Sequence, residues 1–144
     1  MYVDTSVVVK LYVPEPDSKA CEATVAGANL VSSRLLYCEF QSALLSKVAR
    51  GIIANGQMAE VWREFERDLA ARAIYLVPLD DVVVHDASAL LRELHPLVPL
   101  RALDALHLAT YLSVEAGSLF TKDARMIQAA ARLGVPLSQH RRSQ

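Results

Sequence analysis

The sequence predicts an α/β domain in which a parallel sheet is covered on both faces by helices. Three observations support this. Short apolar stretches alternate with helical ones along the chain, the stretches themselves suit buried parallel strands, and 144 residues are enough for one sizeable core. One domain is therefore expected over residues 1–138, followed by a polar tail over 139–144.

Taken in order, Tyr2-Val3 reads as the end of a short strand, and Asp4-Thr5-Ser6 as a strand-to-helix turn whose side-chain oxygens accept the free amide hydrogens of the next helix. That helix, Val7 onwards to Tyr12, is interrupted by Pro14 and Pro16, and a second helical piece over 15–26 is closed by Gly27. Asn29-Leu30-Val31-Ser32 is a short apolar strand, and a long helix over 33–50 follows it with Gly51 as its stop. Leu36, Phe40, Ala43 and Leu44 form the inward stripe of that helix, and Glu39 falls on the same side.

Residues 57–73 are expected to be helical, with Trp62, Phe65 and Leu69 on one side and charged residues around the rest. Residues 75–79 form a strand candidate demoted by Pro78, and Asp80 caps a helix running to His95. The stiff segment Pro96-Leu97-Val98-Pro99-Leu100 leads into a helix that holds Asp104 within its apolar face, beside Leu100, Leu108 and Tyr111. Ser118-Leu119-Phe120-Thr121 is a strand, Lys122-Asp123 a turn, residues 124–133 a helix stopped by Gly134, and Pro136-Leu137 a last short edge strand.

Composition excludes several classes. Fifteen basic against sixteen acidic residues argue against binding nucleic acid through bulk charge, though not against a local basic rim. The chain is apolar-rich at 53%, yet no apolar run reaches about 18 residues, so no membrane span is expected. With no secretory pattern at the start, the cytoplasm is the expected location. Cys21 and Cys38 lack metal-ligand spacing and read as buried, reduced thiols. The four histidines, His85, His95, His107 and His140, show no zinc-hydrolase spacing and read as core or surface residues.

Asp104 is the anomaly among these elements. A carboxylate in an apolar face needs a cation, hydrogen bonds or a proton. In parallel α/β sheets ligands bind beyond the carboxyl ends of the strands, where Asp4 and Asp123 both fall, and Asp104 and Glu39 lie early on helices facing the same space. Each has an ordinary explanation as a cap or an edge residue, but four converging carboxylates repel one another and call for compensation. Oxygen donors point to Mg²⁺ or Mn²⁺ rather than zinc, a chemistry suited to attack of water on a phosphodiester. Lys10, Arg101, Lys122 and Arg125 lie near the acids in sequence and are candidates to hold flanking phosphates.

Asp4-Thr5-Ser6, Glu39 within Leu36-Tyr37-Cys38-Glu39-Phe40, the segment from Leu103-Asp104 through His107 to Ala109, and Phe120-Thr121-Lys122-Asp123 resemble, in order, the four acidic motifs of PIN-domain nucleases. Within that family the resemblance is to VapC-like toxins of bacterial toxin–antitoxin pairs. It implies a five-stranded parallel sheet, a Mg²⁺- or Mn²⁺-dependent endoribonuclease, and a cognate antitoxin as partner. By motif position it assigns Asp4, Glu39, Asp104 and Asp123 as catalytic and metal-binding acids, supported by Thr121 and by Thr5 or Ser6. The same domain occurs in RNA-processing factors outside toxin pairs, and small size favours the toxin. The apolar-rich composition further suggests a face buried by an antitoxin or in a homodimer.

Two other readings are open to such a sequence. A phospho-accepting receiver domain would use Asp80 and Lys122 but leaves Glu39 and Asp104 without a role. A non-catalytic binding module would keep the fold without binding metal.

Overall fold

The computed structural model describes residues 1–138, so the expected tail over 139–144 lies outside the described residues. The elements run β1 (Tyr2–Val3), α1 (Thr5–Tyr12), α2 (Ser18–Val25), β2 (Leu30–Ser33), α3 (Leu35–Ala49), α4 (Asn55–Ala70), β3 (Ile74–Val77), α5 (Asp81–Leu94), α6 (Ala102–Leu112), β4 (Leu119–Phe120) and α7 (Ala124–Leu133). The strand–helix alternation read from the sequence holds throughout.

The sheet is parallel, with strand order β3-β2-β1-β4. Among the described residues it has four strands where five were expected. Pro136-Leu137 does lie against β4, but only as a single parallel bridge between Leu119 and Leu137, flanked by Leu119 N–H to Pro136 O at 2.9 Å and Ser138 N–H to Leu119 O at 2.8 Å. Pro136 has no amide hydrogen to extend the ladder, which is why the fifth strand shrinks to one residue.

Alternate residues of each strand face opposite helical layers. Tyr2 and Leu119 point into a core built with α5, α6 and α7, and Val3 and Phe120 into one built with α1, α3 and α4. The second core holds an aromatic cluster in which Phe40 stacks on Phe65 with centroids 4.2 Å apart. The chain winds from β1 outward to β2 and β3, then returns to place β4 on the other side of β1. Between β1 and β4 the winding reverses, and a crevice opens at such a reversal beyond the strands' carboxyl ends.

One cysteine departs from expectation. Cys21 is buried, but Cys38 is exposed, because it lies two residues, about 200° around the helix, from both Leu36 and Phe40 and so faces away from the inward stripe of α3. Both are free thiols.

Candidate active site

Asp4 leaves β1 and caps α1, its Oδ1 accepting from Val7 N–H at 3.3 Å. It is only 3% exposed. Two hydroxyls complete its surroundings: Ser6 donates to Oδ1 at 2.6 Å and Thr121 to Oδ2 at 2.6 Å. Burial pushes the Asp4 carboxyl above the usual range, a push that these hydroxyl bonds oppose.

Asp123, two residues beyond Thr121 at the end of β4, caps α7 by accepting from Arg125 N–H at 2.8 Å and Met126 N–H at 3.1 Å through Oδ1. Its own N–H donates to Thr121 Oγ1 at 3.0 Å. Thr121 therefore ties the two strand-end acids together across the winding reversal.

Helix α6 brings in Asp104. Its Oδ2 accepts from Arg101 N–H at 3.2 Å, closing the first turn of the helix. Burial raises its pKa, the Arg101 N–H opposes this, and the like charge of Asp123 adds to the rise. Arg125 lies between the two acids, its Nε 3.5 Å from Asp104 Oδ2 and an Nη 3.8 Å from Asp123 Oδ2.

Glu39, on α3, completes the set. Its Oε2 accepts from Thr5 Oγ1 and from His107 Nε2, the latter at 2.7 Å. Burial works to raise the Glu39 pKa, but the hydrogen bond and charge of His107 and the bond from Thr5 prevail and hold it below the usual range. A carboxylate only accepts, so Nε2 carries the proton in this contact. On the other side of the ring, Nδ1 lies 2.9 Å from the Tyr2 hydroxyl, which burial keeps protonated.

His107 was expected to be a packing residue. It is buried, as a packing residue would be, but it also links Tyr2 on the central strand to Glu39 on α3. The available signal was its place one turn after Asp104 on an otherwise apolar helix face, where a histidine has to find polar partners.

The basic candidates divide. Arg125 reaches the acids, whereas the Lys10 ammonium turns away to Glu15 at 2.5 Å and Asp17 at 2.7 Å. Lys122 Nζ is 3.4 Å from Asp17, and Arg101 is exposed at the start of α6. Asp80 caps α5 after the edge strand β3, with β2 and β1 between it and Lys122 beyond β4. That separation removes the pairing a receiver domain needs.

A divalent cation fits this donor set. The four acids offer hard oxygens, and burial raises the pKa of Asp4 and of Asp104, so ionising either carries a cost that the protein's own contacts do not fully meet. Among the described residues no three acidic, histidine or cysteine side chains lie close enough together to hold a metal ion as a group. Mg²⁺ does not need one, since it is usually held by one or two carboxylates together with water and substrate phosphate.

The PIN domain family profile matches residues 1–132. Ribonuclease VapC46 of Mycobacterium tuberculosis is 38% identical over 138 residues, spanning 94% of this chain and 93% of that protein. A toxin-antitoxin complex from Klebsiella pneumoniae contains a chain of like fold, with a TM-score of 0.60 at 15% identity over 85% of each chain.

Proposed function

The chain belongs to the PIN-domain family, and from that premise we propose that it is an endoribonuclease dependent on Mg²⁺ or Mn²⁺ and the toxin of a toxin–antitoxin pair. What supports the reading is a chain of contacts among the four acids: Thr121 joins Asp4 to Asp123, Arg125 lies between Asp123 and Asp104, and His107, which bonds Glu39, also acts on Asp4 by its charge.

When bound there, a divalent cation supplies an acidified water and neutralises charge on the phosphoryl oxygens. Asp104 and Asp123 would be the paired donors that hold it, with Asp4, at the end of β1 and joined to Asp123 through Thr121, beside them. Thr121 and Ser6 fix the direction of Asp4, and Thr5 and His107 fix that of Glu39. Glu39 is held ionised, and its Oε1, which has no hydrogen bond among the described residues, is placed to accept a proton from the attacking water. Arg125 is the cation nearest the acids and can shift its guanidinium from them to a substrate phosphate.

Labelled RNA incubated with Mg²⁺ or Mn²⁺ tests the reaction. Cleavage that stops on chelation is expected, and its absence with several RNAs would overturn the reading. For the biological role, expression should arrest growth, and co-expression of a small partner protein encoded beside it should restore growth. The relative's printed name and the fold of the toxin-antitoxin complex support that pairing.

No helix among the described residues is long and apolar enough to cross a membrane. Val82, Val84, Leu97 and Leu112 are apolar and exposed, in keeping with burial in a homodimer, which light scattering would detect.

A further inference from the structure

Beside the acids a cleft of about 310 Å³ opens between α1 and α3, reaching from Thr5 and Ser6 to Lys10, Glu15, Lys47 and Arg50. Its inner end is the pair of residues that holds the catalytic carboxylates, because Thr5 donates to Glu39 and Ser6 donates to Asp4. The cleft and the proposed active site therefore share a wall.

Lys47 stands out in this lining. It is only 6% exposed, and lysine is almost never buried without a partner. Its Nζ donates to Glu15 Oε1 at 2.6 Å, while Glu15 Oε2 accepts from Lys10 at 2.5 Å. An ammonium has three hydrogens to give, and among the described residues Lys47 makes this one hydrogen bond. Lys10, Lys47 and Arg50 line the cleft against the Glu15 carboxylate, and with Asp17, which accepts from Lys10 at 2.7 Å, counted as well, one net positive charge remains. A position serving only to pack α3 against α1 would be met by leucine or methionine at lower desolvation cost.

We propose that this cleft is a phosphate subsite, which takes an RNA backbone phosphate next to the one being cleaved. Lys47 forms its floor, Lys10 its wall and Arg50 its mouth. In the RNA-free protein, Glu15 occupies the phosphate's place between the two ammonium groups. The inference rests on the ribonuclease reading, since it supplies the strand whose neighbouring phosphate needs a seat.

Binding of fluorescent single-stranded RNA, measured by anisotropy in Ca²⁺ over a range of KCl with intact RNA verified on a gel, tests it. Lys47→Met keeps the apolar stem and removes the charge; it is expected to weaken binding about tenfold and to flatten log K against log salt by up to about 0.7, the single-strand value for one phosphate. Arg50→Gln, at an exposed position where packing is not disturbed, is expected to shift both quantities in the same direction. Weaker binding with an unchanged salt slope would mark Lys47 as structural and overturn the proposal. If both variants bind as the wild type does while the wild type cleaves RNA, the subsite falls and the ribonuclease reading stands. A wild type that neither binds nor cleaves RNA removes both.

Discussion

Thr121 makes two bonds that an isosteric valine cannot: it donates to Asp4 and accepts from the Asp123 N–H. Thr121→Val leaves a buried carboxylate oxygen and an amide hydrogen short of a partner. A loss of about 1–3 kcal/mol is expected by denaturant titration, together with at least tenfold slower RNA cleavage. Asp104→Asn should behave differently. Asparagine keeps an oxygen for the Arg101 N–H but ends both the burial cost of the charge and its repulsion from Asp123. Cleavage should fall by more than about a hundredfold, while the metal-free protein melts no lower than the wild type. Rapid cleavage by this variant would remove Asp104 from the reaction. Asp104 drew notice in the sequence because of its apolar neighbours; that Glu39 would be held by His107 was hidden, because the two lie on different helices and meet only in three dimensions.

Among the elements, the α1–α2 connection is held by charge. Glu15 lies between Pro14 and Pro16 and joins Lys10 of α1 to Lys47 of α3. Hydrogen bonds from Lys10, then Lys47, hold its carboxyl below the usual range. A carboxyl whose folded pKa is depressed stabilises the fold above its unfolded value, near 4.5, and that contribution is lost as pH falls through the lower folded value. Wild type is therefore expected to exceed Glu15→Gln in stability at neutral pH, with the gap closing on acidification below about 4.5. Equal stability at pH 7 would mean the pairs contribute nothing. Helix α4 is attached by different means, through the Phe65 ring in the aromatic cluster and through the Tyr12 hydroxyl, which donates to Asp68 at 2.6 Å. Phe65→Ala opens a cavity in a fully buried cluster and should cost about 3–5 kcal/mol. The boundaries of these elements were legible to within a few residues from caps and stops such as Asp80, Asp123 and Gly134, whose φ of 67° suits a residue without a Cβ.

For the whole molecule, the buried acids make stability depend on pH. Asp4 and Asp104 both have raised pKa values, so the metal-free fold is favoured while they are protonated and loses stability as pH rises through those values. A divalent cation held by these carboxylates, as proposed, would relieve the ionised form. Millimolar Mn²⁺ should therefore raise the melting temperature at neutral pH, and the gain should vanish once the carboxyls are protonated. In Asp104→Asn the gain should shrink at every pH. An equal Mn²⁺ effect in that variant would place the metal elsewhere.

The parallel α/β layering, the acids at the strand ends and the family were readable along the chain alone, because strand–helix alternation, N-cap chemistry and an acid in an apolar stripe are all local signals. Packing between elements settled that the last strand reduces to one bridging residue, that Thr121 joins Asp4 to Asp123, that His107 bonds Glu39, and that Lys10 and Lys47 both bond Glu15. The reason is distance along the chain. Lys47 and Glu15, His107 and Glu39, and Thr121 and Asp4 are 32, 68 and 117 positions apart, and no periodicity within one element encodes which side chains meet when separate elements pack.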